Sequence, residues 1–164
     1  MTTAYVGLGA NIGEPRRQLQ AAISELGAMP GIRVTRISGF YRSAPLGYLE
    51  QPEFLNAVVE LDTDIAPGTL LEHLQKMENR HGRERPFPGA PRTLDLDLLL
   101  HGNQSASMAG LTLPHPRMHE RAFVLEPLTE IAPDIIIPGR GAARDLLAAC
   151  RGQIVQRIDA NRSG

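Results

Sequence analysis

The sequence predicts an α+β fold of the ferredoxin-like class: a βαββαβ core followed by C-terminal α/β additions. Three observations predict it. Stretches at 4–9, 32–42, 54–62 and 92–100 are apolar or alternate with the period of two that marks strands. Segments opening at Pro15 and Pro67 place apolar residues at helical spacing. The resulting order, strand-helix-strand-strand-helix-strand, is the split βαβ arrangement, in which the helices cover one face of a sheet. Residues 1–164 are expected to form one domain. A chain of this length buries roughly 70% of its unfolded surface, enough for a core without staples.

Each element has a local reason. Residues 4–9 read as the first strand, broken by Gly9-Ala10-Asn11-Ile12-Gly13. That break is either an ordinary tight turn or one presenting backbone N–H groups to an anion. Its spacing matches neither the dinucleotide fingerprint nor the phosphate loop. Pro15 suits a first helical turn, Leu19, Ala22, Ile23 and Leu26 make the buried stripe, and Gly27 is a terminator. In 32–42 the apolar parity shifts between Val34 and Ile37, which predicts a bulge near Thr35–Arg36. The segment Ser43–Pro52 is a long loop of the kind that serves as a binding loop or lid. Within the third strand, Asn56 interrupts apolar residues as either a satisfied core amide or one reading a ligand edge.

Pro67 opens a second helix with Leu70, Leu71, Leu74 and Met77 inward, Gln75 and Glu78 one turn apart on a more polar side, and Gly82 at its end. The Arg83–Pro91 segment, rich in arginine, proline and glycine, is a second loop. Beyond Gly102-Asn103 the chain predicts a strand near Leu111–Leu113 and a helix over Glu120–Ile131. A strand at Ile135–Ile137, a helix at Ala142–Arg151 and a last strand at Ile154–Ile158 follow.

Arg92-Thr-Leu-Asp-Leu-Asp-Leu-Leu-Leu100 carries the chemistry. Alternation puts Leu94, Leu96, Leu98 and Leu100 on one face and Asp95 and Asp97 on the other. Same-face neighbours lie about 6.6–6.8 Å apart along a strand. Two carboxylates this close repel unless a cation sits there, and hard oxygen ligands with open positions suit Mg²⁺. The alternative is a strand whose acids simply face water. Nearby stand Arg83, Arg85 and Arg92, then His115 and Arg121. Acids that hold magnesium, with arginines that meet phosphate, form the kit for phosphoryl transfer. Taken singly, each arginine also reads as a solvated loop residue, and His115 and His119 as structural histidines.

Composition narrows the field. A net charge of −1 with seven aromatics (3 Tyr, 4 Phe) provides neither the basic face nor the aromatic platform of a nucleic-acid-binding module. The one cysteine, Cys150, excludes an internal disulfide and fits a reducing compartment. No zinc motif, nucleophile elbow or membrane-length apolar run is present, and the opening Met-Thr-Thr-Ala-Tyr-Val, without a basic region and a following apolar stretch, is not expected to act as a signal peptide. The expectation is a cytoplasmic monomer that binds neither nucleic acid nor membrane. Its rivals are another metal-dependent phosphoryl transferase and a non-catalytic nucleotide- or RNA-binding module.

The motifs, in order, are Gly-Leu-Gly-Ala-Asn (7–11), Phe-Tyr-Arg-Ser-Ala-Pro-Leu-Gly (40–47), Pro-Glu-Phe-Leu-Asn-Ala-Val (52–58) and Gly-Arg-Glu-Arg (82–85). Ala-Pro-Arg-Thr-Leu-Asp-Leu-Asp-Leu-Leu (90–99) and Leu-Pro-His-Pro-Arg-Met-His-Glu-Arg-Ala-Phe-Val-Leu-Glu-Pro-Leu (113–128) follow. Over 4–138 the chain thereby resembles the 6-hydroxymethyl-7,8-dihydropterin pyrophosphokinases of folate biosynthesis. The resemblance implies transfer of the pyrophosphoryl group of ATP to the hydroxymethyl-dihydropterin, with release of AMP. It implies Asp95 and Asp97 as ligands of two Mg²⁺ ions, and Arg83 and Arg92 as catalytic arginines gripping phosphate. Gln75, Glu78, Arg85, Leu98, Thr112, His115 and Arg121 would bind ATP. Pterin would stack between Phe54 and Phe123, with Asn56 reading its edge and Ser43 and Leu46 contributing from the loop. Closing loops are expected at 11–15, 43–53 and 83–91. The family often carries a tryptophan before the acidic strand; here Pro88-Gly89-Ala90-Pro91-Arg92 stands without one.

Overall fold

The structure is a computed structural model that describes residues 1–44, 53–81, 94–108, 110–150 and 152–158. Its elements run β1 (Thr2–Ala10), α1 (Pro15–Ala28), β2 (Ile32–Ile37), β3 (Phe40–Ser43), β4 (Phe54–Thr63), α2 (Pro67–Arg80) and β5 (Asp95–His101). Then come β6 (Ala106–Met108), β7 (Leu111–Leu113), a 3₁₀ turn (Met118–Glu120), α3 (Ala122–Ile131), β8 (Ile136–Ile137), β9 (Gly141–Ala142), α4 (Ala143–Ala149) and β10 (Val155–Ile158). Among the described residues a six-stranded sheet forms in the order β10-β3-β4-β1-β5, with β2 also on β4. All its pairings are antiparallel. This is the α+β, ferredoxin-like arrangement expected.

The hydrophobic pattern explains which side each element takes. Ala4, Val6, Leu8 and Ala10 of β1 and Leu55, Ala57, Val59 and Leu61 of β4 alternate toward one face. There they meet Leu19, Ala22 and Leu26 of α1 and Leu70, Leu74 and Met77 of α2. Fully burying one such leucine contributes about 1.5–3 kcal/mol. The opposite face carries a second cluster, in which Tyr5, Val58, Leu99 and Leu100 pack on Val124, Leu125 and Leu128 of α3. Proline opens both α1 and α2, as their sequences require.

Four readings are corrected. The first strand continues through Gly9 and Ala10 rather than breaking there. Gly27 lies within the last turn of α1, which ends one residue later. The stretch 32–42 forms two strands, with Ser38 bridging the gap by donating its N–H to Val58 O (3.0 Å) and accepting Val58 N–H at Oγ (2.9 Å). In β5 the register shifts at Leu99, because Tyr5 pairs with Leu100 and Val6 with Leu98. The extra residue flips the parity, so Leu94, Leu96 and Leu98 join the helix-side core while Leu99 and Leu100 join the other.

The bulge foreseen near Thr35 is present: Val34 pairs with Leu61 and Arg36 with Glu60, leaving Thr35 extra. Arg36 then donates to Ile131 O (2.7 Å), placing a cation at the C-terminus of α3. One residue earlier, Glu130 accepts hydrogen bonds from Gly39 N–H and the Tyr41 hydroxyl. These contacts strap α3 to β2 and β3, which steadies the strand carrying Ser43, itself paired with β10 and β4.

Candidate active site

Strand register assembles the centre of the site. Tyr41 pairs with Asn56, Asn56 with Gly9, and Gly9 with Asp95, making one continuous row across β3, β4, β1 and β5. In flanking rows Ser43 pairs with Phe54, and Asp97 with Gly7. All these residues point away from α1 and α2. Glycines opposite both acids leave the floor between them bare of side chains.

Asn56 is buried, with 5% of its surface exposed, and its amide orientation is fixed. Nδ2 donates to Ser43 Oγ at 2.6 Å and to the Tyr41 carbonyl at 3.4 Å. A carbonyl only accepts, so the NH₂ group must lie on that side. The amide oxygen therefore turns toward β1, where a Cβ built on Gly9 would lie 3.4 Å from Asn56 Oδ1. A hydrogen-bonded core amide and a ligand-reading amide are thus compatible in one residue.

His115 borders the acids. Its backbone N–H donates to Leu99 O (2.9 Å), and its Nε2 lies 3.9 Å from Asp97 Oδ1. Burial, helped by Arg121 and Arg117 and opposed by Asp95, pushes the imidazole down to about 4, so it is neutral near pH 7. Nδ1 accepts the Arg117 backbone N–H at 3.2 Å, which assigns the ring proton to Nε2, on the Asp97 side. Arg121 immediately precedes α3 and stacks its guanidinium on Phe123, 5.5 Å from the ring centroid.

The site residues expected from sequence divide by face. Ser43, Phe54, Asn56, Asp95 and Asp97 share the face of the sheet opposite α1 and α2, while His115, ahead of the 3₁₀ turn, and Arg121 and Phe123, at the start of α3, border it. Thr112 is exposed on β7, and Gln75 is exposed on α2, across the sheet. Leu98 is buried in the helix-side core with Leu111 and Leu113. The polar exposure expected for Glu78 is corrected: it is 3% exposed and accepts the Leu96 N–H at 2.8 Å. Leu96 lies between the acids, so Glu78 holds the backbone that aims them. Arg83, Arg85, Arg92 and Leu46, and with them residues 45–52 of the loop 43–53 and the whole of 83–91, lie outside the described residues.

Sequence reasoning missed one positioning residue, Gln153. Its Oε1 accepts the Ala122 N–H (2.9 Å), and its Nε2 donates to Glu120 O (2.8 Å), straddling Arg121. The side chain satisfies an N–H of the first turn that α3 leaves without a helical partner. No local pattern marks a glutamine some thirty positions away as that partner.

Among the described residues no group of three or more histidines, cysteines, aspartates or glutamates could enclose a metal. The Asp95–Asp97 pair instead offers hard oxygen donors on an open face, the donor set that suits a hydrated Mg²⁺ completing its shell with phosphate and water.

The comparisons agree with this architecture. Residues 5–133 match the model of the family 7,8-dihydro-6-hydroxymethylpterin-pyrophosphokinase (HPPK). The chain is 46% identical over 154 residues to the 2-amino-4-hydroxy-6-hydroxymethyldihydropteridine pyrophosphokinase of Pseudomonas aeruginosa, covering 94% of this chain and 95% of that one. It is 42% identical over 147 residues to the Haemophilus influenzae protein of that name, covering 90% and 92%. A Plasmodium falciparum HPPK-DHPS crystal structure superposes with a TM-score of 0.73 at 13% identity, covering 90% of this chain and 41% of that chain; this likeness concerns the fold alone. By the extent of the family match and the identity to full-length relatives, the chain belongs to the 7,8-dihydro-6-hydroxymethylpterin-pyrophosphokinase family.

Proposed function

We infer that this chain transfers the pyrophosphoryl group of ATP to the hydroxymethyl oxygen of 6-hydroxymethyl-7,8-dihydropterin, a step of folate biosynthesis, and releases AMP. Family membership supports the reaction. The observation that supports this site for it is the row Asn56–Gly9–Asp95, which sets an amide suited to reading a heterocycle and an acid suited to holding a metal on one stretch of sheet.

In balance, the hydroxymethyl oxygen forms a bond to the β-phosphorus, the bond from that phosphorus to the α,β-bridging oxygen breaks, AMP leaves, and the hydroxyl proton is released. Asp95 and Asp97 would hold divalent metal, two Mg²⁺ ions in our reading. When bound, Mg²⁺ neutralises charge on the triphosphate. The chain's own groups do the positioning. Asn56 Oδ1 accepts from an N–H on the pterin edge, and the Phe54 and Phe123 rings offer it aromatic faces. Neutral His115 presents Nε2–H to a phosphate oxygen, and Arg121 adds a permanent positive charge. Arg83, Arg85 and Arg92 complete the phosphate grip, Leu46 the pterin side, and Thr112, the Leu98 backbone (its side chain being buried) and, from α2, Gln75 the nucleotide side. Such catalysis consists mainly of orientation and charge neutralisation.

The test is AMP release from ATP and Mg²⁺ with and without the hydroxymethyl-dihydropterin. AMP should appear only with the pterin, stop on chelation and resume when Mg²⁺ is restored. Release without pterin, or indifference to chelation, contradicts this reading.

A further inference from the structure

Gly9 lies inside β1, flanked by β4 and β5, where glycine is a poor choice on intrinsic grounds. Two ordinary reasons for a buried glycine are absent. Its backbone does not take the left-handed conformation that only glycine adopts easily, as Gly13 and Gly31 do with φ of 69° and 83°. Nor is it crowded: a Cβ there would meet only Asn56 Oδ1 at 3.4 Å and Leu55 O at 3.9 Å, ordinary contact distances. At Gly7, two residues earlier, a Cβ would likewise stand at an ordinary contact distance, 3.5 Å from the Leu99 side chain, but against apolar carbon rather than a polar atom. Neither conformation nor neighbours demand glycine at position 9. What remains is the space above it, between the amide oxygen of Asn56 and the carboxylate side of Asp95.

We propose that Gly9 is a specificity-determining residue of the acceptor site: its bare backbone is the floor on which the hydrogen-bonding edge of a flat bicyclic heterocycle lies. A methyl group at this point would intrude between Asn56 Oδ1 and the ring that it reads. The ring would have to lift away from the floor, lengthening that hydrogen bond and shifting the attached hydroxymethyl group away from the Asp95 side. The nucleotide, bound by other groups, would be little affected. This rests on the function proposed above.

The experiment is Gly9→Ala, followed by thermal melting and by steady-state kinetics with pterin and ATP varied separately. The expected result is a melting temperature equal to wild type or up to ~3 °C higher, since alanine restricts the unfolded chain more than glycine. The KM for the pterin should rise about tenfold or more, with the KM for ATP changed less than twofold. Equilibrium dialysis of the pterin, with a non-hydrolysable ATP analogue present, should show the same weakening. An unchanged pterin KM, an equal rise for ATP, or a variant that melts well below wild type or fails to fold would each overturn the proposal. The wild-type control separates the two readings. If wild type releases no pterin-dependent AMP, the proposed function fails; if it does and Gly9→Ala matches it, only the role of Gly9 fails.

Discussion

Asn56 Nδ2 donates to Ser43 Oγ across 2.6 Å, the shorter of the two hydrogen bonds that hold the amide in the orientation its contact with the Tyr41 carbonyl assigns. The longer contact to the Tyr41 carbonyl is a weak substitute. Ser43→Ala should therefore loosen the amide without emptying the site. A buried hydrogen bond of this kind contributes about 1 kcal/mol, so the pterin KM should rise roughly fivefold with a small loss of stability. Kinetics with the pterin varied would check this; a rise in the ATP KM alone would contradict it.

Asp95 and Asp97 are only partly buried, and Asp97 keeps 34% of its side chain exposed. Asp95→Ala and Asp97→Ala should each lower turnover by about 1,000-fold or more, on the scale of losing charge stabilisation of a transition state. Melting should change little. Near-normal turnover at saturating Mg²⁺ would remove the metal assignment.

Glu78 acts from the other side of the sheet. Glu78→Ala would leave the Leu96 N–H unsatisfied in the core, at a cost of about 1–3 kcal/mol. The expected signature is a lowered melting temperature with reduced turnover, because the backbone between the acids loses its anchor. If the variant instead melts normally and shows only a raised ATP KM, Glu78 serves nucleotide binding directly.

At the base of α2, His81 Nε2 and Arg80 contact the Glu25 carboxylate at 2.7 and 3.2 Å. Burial alone would raise that carboxyl, but the hydrogen bonds from His81 and Arg80 outweigh it and hold it below its ordinary value of 4.5. A depressed folded value gives stability that is present above the unfolded value and lost as pH falls through the folded one. Wild type should therefore melt above Glu25→Gln at pH 7, and the gap should shrink as acidification carries the pH down through the depressed Glu25 value. A gap that stays constant throughout the acid range would assign the effect elsewhere.

The core elements were legible because period and punctuation agreed: Pro15 and Pro67 opened helices, and the parity break at Thr35 marked a real bulge. Other features depend on pairing partners that a single strand does not reveal. Leu99 is extra only relative to β1, and Gly9 matters only because its neighbours across the sheet are Asn56 and Asp95. Glu78 carried a faint signal, four residues beyond Leu74 on the buried stripe, but its charge argued for solvent until Leu96 supplied a donor.

The central claim is that both outer phosphates of ATP move together to the pterin. Phosphorus NMR of wild type with ATP, Mg²⁺ and 6-hydroxymethyl-7,8-dihydropterin follows this directly. The account predicts that ATP signals give way to AMP and a pterin diphosphate in equal amounts, with no ADP. ADP accompanied by a pterin monophosphate, or ATP consumed with no phosphorylated pterin, would contradict it.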